Sequence, residues 1–164
     1  MPMKVSYHIE APVETVFDFF KDPSNQVDYR PFSAMEVHDA KMTKEGVGTY
    51  YSWSVKMFGI PVNGFEVFTD LVPNEHITEK SSNAMVGTWD YTFEPEGSGT
   101  KVTLEQQPRS LWALPPLRNL MDLAMPRMSR SFIDAVKAQL EAETTVPGQR
   151  KPAASKPRKP TASR

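Results

Sequence analysis

The residues best suited to chemistry in this chain are phenols and indoles spaced two apart. In "GTYYSWSVKMFG", residues 48–59, Tyr51, Trp53, Val55 and Met57 fall on one side of an alternating pattern. Tyr50, Ser52, Ser54 and Lys56 fall on the other. "AMVGTWDYTFE" repeats the device, with Met85, Gly87, Trp89, Tyr91 and Phe93 on one side. A strand sends alternate side chains to opposite faces, so each set shares a face. Large amphipathic rings turned inward either fill a solid core or line an enclosure. Tyr and Trp bring a polar atom that needs a partner once buried, which tilts the set toward an enclosure.

Further polar groups share the phase of inward apolar neighbours. Asp39 follows Met35 and Val37, Glu79 follows Ile77, and Gln106 follows Val102 and Leu104. A carboxyl group in such a place could hydrogen-bond a ligand hydroxyl or carbonyl. The competing assignment puts Asp39 and Glu79 in water at strand ends, and that assignment is preferred; Gln106 is balanced between the two. In "VNGFEVFTDLV" Phe65, Val67 and Leu71 share one face and Phe68 takes the other, with Gly64 as a candidate bulge. Phe65 and Val67 are therefore assigned inward.

Other chemistries find little support. The chain has no cysteine, which excludes disulfides and thiol catalysis. His8 and His38 are out of phase with the apolar faces, and His76 sits in a turn. No His/Asp/Glu cluster has metal-ligand spacing, so no metal site and no cofactor is expected. No glycine-rich phosphate loop or nucleophile elbow occurs, and no catalytic residue is assigned. Arg109–Ser110, between the last strand and the last helix, is a weak signal.

The elements that must hold these residues follow from period and punctuation. "KVSYHIEAP" alternates as a strand. In "APVETVFDFFKDP" Val13, Val16, Phe17 and Phe20 have helical spacing, with Pro12 suited to the first turn and Pro23 at the stop. "SNQVDYRPF" reads as a second short helix or turn. Six more strand-like segments follow between residues 34 and 107, joined by short turns, which implies antiparallel pairing. A last helix runs from Pro115 and Pro116, with Leu117, Leu120, Met121, Ala124, Met128, Phe132, Val136 and Leu140 at helical spacing. Pro126 should kink or divide it. An α+β fold results: a seven-stranded curved antiparallel sheet wrapped around a long C-terminal helix, with two short helices between strands 1 and 2. The helix adds Leu117, Met121, Met125 and Met128 to the inward set. Methionines repack around variable shapes, or simply fill gaps in a core.

Length and charge set further bounds. The 164 residues suit one domain, 1–146, followed by a basic Pro/Lys/Arg tail, 147–164, expected to be disordered. The tail holds six of the 19 basic residues, which leaves the body 13 basic against 20 acidic, a net of −7. Nucleic acid is therefore not expected on the folded body. The tail can touch anionic surfaces or serve as a solubilising extension. No apolar run approaches the ~18 residues of a membrane span, and no signal peptide is visible. A cytoplasmic location is the default.

The element order, with "IEAPVETVFDFFKDP" at its start, "GVGTYYSW" as third strand and "VFTDLVPNEHITEKS" as central hairpin, resembles the START-like (SRPBCC) superfamily. That group includes polyketide cyclase/dehydrase and lipid-transport proteins and the birch-pollen-allergen fold. The likeness covers about residues 3–143 and lies in hydrophobic positions, with no catalytic signature. It implies a helix-grip fold with an apolar cavity beneath the final helix. Members bind lipids, sterols, polyketides, quinone-like molecules or plant hormones; a minority cyclise or aromatise. Tyr29, Arg30 and Phe32 would border an entrance by that analogy. Three functions stay open: carriage of a small hydrophobic ligand; polyketide cyclase, aromatase or dehydratase activity, with Tyr51, Tyr91, Glu79 or Gln106 as orienting or proton-transfer groups; and a ligand-free interaction module.

Overall fold

The computed structural model describes residues 3–27, 36–57, 60–83, 86–108, 130 and 132–141. Seven strands form one sheet: β1 (Met3–Ile9), β2 (Glu36–Lys41), β3 (Tyr50–Met57), β4 (Ile60–Val72), β5 (His76–Asn83), β6 (Gly87–Glu96) and β7 (Gly99–Pro108). Their order is β1-β7-β6-β5-β4-β3-β2, antiparallel throughout. Chain neighbours from β2 to β7 are sheet neighbours, as short turns require. Asn74 takes a positive φ of 64° in the β4–β5 turn, a conformation Asn tolerates.

Two short helices separate β1 from β2: α1 (Val13–Lys21) and α2 (Pro23–Val27). Pro12 precedes α1, Glu14 lies in its first turn and Lys21 in its last, each matched to the helix dipole. Pro23 ends α1 and opens α2. Asp22 Oδ1 accepts from the Ser24 backbone N–H at 2.9 Å and from its hydroxyl at 2.6 Å. Helix α1 buries Val16, Phe17, Phe19 and Phe20. The C-terminal helix, α3, is described over 132–141 and buries Phe132, Ile133, Val136 and Leu140. Leu117, Met121, Met125 and Met128, and the kink expected at Pro126, lie outside the described residues.

The core joins α1, α3 and the sheet through rings. Phe20 meets Tyr91 at 5.1 Å, Phe93 at 5.4 Å and Phe132 at 6.2 Å between centroids. Phe17 meets Phe93 edge-on at 5.5 Å, the offset geometry that aromatic quadrupoles favour. No described helix is long and apolar enough to cross a membrane.

Strand β4 corrects the expected faces. Its pairing with β5 shifts between Phe68 and Asp70, so Thr69 is an extra residue there. An inserted residue reverses the facing of everything beyond it. Leu71 does point in, opposite Ile77, and packs on the core. Upstream of the bulge the inward positions are Gly64, Glu66 and Phe68. Phe65 is 40% exposed on the outer face, opposite Ser52 and Ser82. Val67 lies opposite Tyr50 and Lys80 on that same outer face. Gly64 is not the bulge. It pairs regularly with Trp53, and a Cβ there would sit 2.4 Å from the indole Cζ2. The glycine makes room for the indole to lie on the strand.

Candidate functional site

The inward face can be followed strand by strand, because directly opposed residues point the same way. Gln106 of β7 opposes Trp89 of β6, Trp89 opposes Glu79 of β5, and Glu79 opposes Phe68 of β4. One row further on, Gly87 opposes Ser81, Ser81 opposes Glu66, and Glu66 opposes Tyr51. The next row sets Gly64 against Trp53 and Trp53 against Val37. Polar groups thus form a band across the sheet, with Tyr51, Glu66, Glu79, Ser81 and Gln106 all buried.

On one side of the band the face is filled. Tyr91, Phe93, Val102, Leu104 and Ile77 are buried, and Phe17, Phe20 and Phe132 stack above the first two. Tyr91, Phe93 and Leu104 therefore stand in or beside packed core. On the other side lie Trp53 and the two glycines, Gly87 and Gly64. Val55 and Met57 continue β3 there, opposite Val62 and Ile60; their side chains fall outside the described part of the structure.

The centre of the band is a trio. The Tyr51 hydroxyl donates to Glu66 Oε2 and also lies 3.3 Å from Glu79 Oε2. A phenol carries one hydrogen, so it serves one carboxylate at a time. Glu66 is 2% and Glu79 1% exposed, and buried carboxylates persist only where hydrogen bonds or charge partners meet them. Tyr51, Glu66, Glu79, Tyr91 and Gln106 also interact with groups beyond those named here.

Around the trio are polar atoms that no group among the described residues meets. Trp53 Nε1, Trp89 Nε1 and Ser81 Oγ are enclosed and lack a hydrogen-bond partner. So is the Tyr7 hydroxyl on β1, and burial pushes that phenol far above its ordinary value of 10. Native interiors hold few such groups, and each calls for an explanation.

Of the sequence-predicted site residues, Tyr51, Trp53, Trp89 and Gln106 come together along the band. Phe65 and Val67 do not, for the reason given by the bulge. Met85, Leu117, Met121, Met125 and Met128 lie outside the described residues, as do Tyr29, Arg30, Phe32, Arg109 and Ser110. Glu79, assigned to water by preference, is interior, whereas Asp39 is exposed at the β2 irregularity. Glu66 was not expected at all. The signal for it was a glycine two residues before it that could face Trp53, since a large ring opposite a glycine fixes the phase of both strands.

The histidines form polar pairs at the surface. His8 Nδ1 contacts Glu96 at 2.8 Å and its Nε2 contacts Glu10 at 3.0 Å; His38 contacts Ser54 and His76 contacts Asp70, each at 2.9 Å. Among the described residues no group of three or more His, Asp or Glu could hold a metal ion. A separate cleft of about 380 Å³ lies between α1, the β2–β3 connection and the β4–β5 turn. Apolar Phe17, Met42 and Leu71 and charged Glu14, Asp18, Lys21, Lys44 and Glu45 line it. None of the predicted site residues lines it.

Comparison with known proteins agrees with this architecture. Protein Ms6760 from Mycobacterium smegmatis is 19% identical, with a TM-score of 0.69 over 86% of this chain and 91% of that one. TTHA0849 from Thermus thermophilus is 20% identical, with a TM-score of 0.69 over 88% and 99%. The di-domain ARO/CYC StfQ of the steffimycin biosynthetic pathway is 14% identical, with a TM-score of 0.70 over 88% of this chain and 52% of that one. At these identities the likeness is one of fold. No curated protein matches. The family described as polyketide cyclase / dehydrase and lipid transport matches residues 3–143, and with a seven-stranded sheet, its two short helices and a C-terminal helix in that family's order, the chain belongs to it.

Proposed function

We propose that this protein binds or carries a small, largely apolar molecule between the inward face of the sheet and the C-terminal helix. The observation that carries the proposal is the set of enclosed, unpartnered donors beside aromatic walls: Trp53 Nε1, Trp89 Nε1 and Ser81 Oγ. Ligand sites are mostly apolar with a few convergent polar groups, and the band has that composition. A ligand oxygen would supply the partner each donor lacks, at a gain comparable to the cost of leaving it unmet, about 1–3 kcal/mol per group. Membership of a family that includes lipid transport supports the same conclusion.

The test uses the two indoles as reporters. Long-chain alcohols, fatty acids, sterols and polycyclic phenols are titrated while tryptophan emission is followed. Saturable shifts are expected, and they should shrink in Trp53→Phe and Trp89→Phe. A flat response across the panel would sink the proposal.

The Tyr51–Glu66–Glu79 trio favours a second reading, cyclase or dehydratase action on a polyketide-type substrate. A phenol in contact with two carboxylates can hand a proton on, which is what general acid–base catalysis needs. Turnover of a poly-β-keto analogue that disappears in Tyr51→Phe, with binding retained, would replace the carrier reading by this one.

A further inference from the structure

The cleft beside α1 takes no part in the band, and its lining has two characters. Phe17 of α1, Met42 of the β2–β3 connection and Leu71 of β4 are apolar, and Met42 is 52% exposed. Glu14 and Asp18 of α1 and Glu45 of the connection are acidic, against Lys21 and Lys44. Asp18 holds Lys21 at 2.7 Å. Glu75 is exposed in the β4–β5 turn next to Asn74, which also lines the cleft. Glu14, Glu45 and Glu75 thus stand against Lys44. Helix α3 reaches the same end of the sheet: Glu141 Oε1 accepts from the Glu10 backbone N–H at 3.2 Å, and Glu10 lies just before α1. The chain beyond Glu141 therefore starts beside the helix that lines the cleft.

We propose that the basic segment Lys156–Pro160 of the same chain docks in this cleft. From Pro147 onward the chain carries six Lys or Arg and no acid, whereas the body has a net charge of −7. Residues 156–160 read KPRKP, so Pro157 and Pro160 have Pro-x-x-Pro spacing. Such runs favour polyproline II, with three residues per turn. In that form the two prolines share one edge and Lys156 and Lys159 share the next. Proline rings on apolar surface beside complementary charge are a recurrent mode of peptide recognition. Here the rings meet Met42 and Leu71, and the cations meet Glu14 and Glu45. The tether has the right span. Residues 142–155 form the linker, and a flexible linker of that length covers about 20 Å r.m.s.. Helix α1, Val13–Lys21, is about 13 Å long at ~1.5 Å per residue. Surface ion pairs are individually weak. A tether of matched span offsets this by presenting the segment at roughly millimolar concentration.

The chain has no cysteine, so Ser155→Cys takes a single nitroxide label. In the full chain labelled there, NMR signals of Met42, Thr43 and Asn74 should be lost and those of Lys4 and Ser82 kept, relative to the reduced label. Lys156→Glu combined with Lys159→Glu should lower the docked-to-free ratio about two- to tenfold, the worth of two surface ion pairs. Salt at about 1 M, where the screening length is about 3 Å, should act in the same direction. Glu14→Lys with Glu45→Lys should give that fall from the cleft side, and the lysine substitutions keep the test intact if this second pair fails to fold. Losses spread evenly over the surface, or centred elsewhere, would overturn the proposal. So would losses at the cleft that neither charge reversal nor salt reduces. Mixing spin-labelled chain without isotope and isotope-enriched chain without spin label identifies whose segment docks. Cleft losses as large in that mixture as within one chain would assign the cleft to a second copy's segment and overturn docking within the chain.

Discussion

Gly64→Ala is the smallest change that examines the arrangement of the site. A Cβ built at Gly64 lies 2.4 Å from Trp53 Cζ2, 2.7 Å from Cε2 and 3.0 Å from Cη2. Carbon atoms in contact sit about 3.5–4.0 Å apart, so the indole must retreat by roughly 1 Å. Trp53 is 3% exposed, so the displaced ring presses on buried surroundings, an overpacking change costing about 1–3 kcal/mol. Alanine recovers about 0.4–1 kcal/mol by restricting the unfolded chain. The net expectation is a loss of about 1–2 kcal/mol, or a fall in Tm of about 2–8 °C at ~2–4 °C per kcal/mol. Urea unfolding measures the loss, and tryptophan emission reports the displaced indole. In a Trp53→Ala background the same substitution should become neutral or stabilising, because the obstructing ring is gone. If Gly64→Ala matches or exceeds the wild type in stability with unchanged emission, the indole does not lie on Gly64, and the band's register at β3–β4 is wrong.

The faces of β4 and a surface pair give two further tests. Phe65→Ser, on the outer face, should change stability by no more than about 0.5 kcal/mol, whereas Phe68→Ala, at 1% exposure, should cost about 3–5 kcal/mol in the same urea titration; comparable losses would mean the bulge at Thr69 is misplaced. The hydrogen bond from His76 holds the Asp70 carboxyl below its usual 3.8, so its stabilising contribution is present above that pH and is lost as pH falls through the lowered value. Asp70→Asn should therefore trail the wild type slightly near neutral pH and converge with it below pH 3.8, and a gap of constant size would remove Asp70 as the source.

Most of the architecture was legible because it rests on period and punctuation. Alternation in β3, β6 and β7 placed Tyr51, Trp89 and Gln106 inward, and no bulge intervenes on those strands to undo it. Helical spacing found Val16, Phe17 and Phe20 in α1 and Phe132, Val136 and Leu140 in α3. Strand β4 resisted for a physical reason. "GFEVFTDLV" is apolar on both sides of its alternation, and one extra residue at Thr69 lets each half follow its own phase. Leu71 was placed correctly and Phe65 and Val67 were not, because a single phase was carried across the bulge. The same error concealed Glu66. Glu79 was withheld from the interior because a lone buried carboxylate is costly. Among the groups that meet it in the interior is Tyr51, which belongs to another strand and lies 28 positions away. Cross-strand partnership of this kind has no local signature.

The inward rings do not all serve one purpose. On the binding proposal, those on one side of the polar band fill a core and those on the other would wall an enclosure. Tyr91 and Phe93 sit under Phe20, at 5.1 and 5.4 Å, and this packing joins α1 and α3 to the sheet. Trp53 is buried and Trp89 half-buried, yet both enclose N–H groups that are unmet among the described residues. A core under selection for stability alone would do better with leucine at either position, since each unmet donor is a cost of about 1–3 kcal/mol with no return. Ser81 repeats that cost opposite Glu66 and two residues along β5 from Glu79. Three such positions in adjoining rows, flanking a buried phenol–carboxylate trio, are hard to account for as packing, and they become economical once an oxygen-bearing guest occupies the band. On the binding proposal, ring packing joins α1 and α3 to the sheet at one end, and the residues from Glu79 to Trp53 would serve recognition.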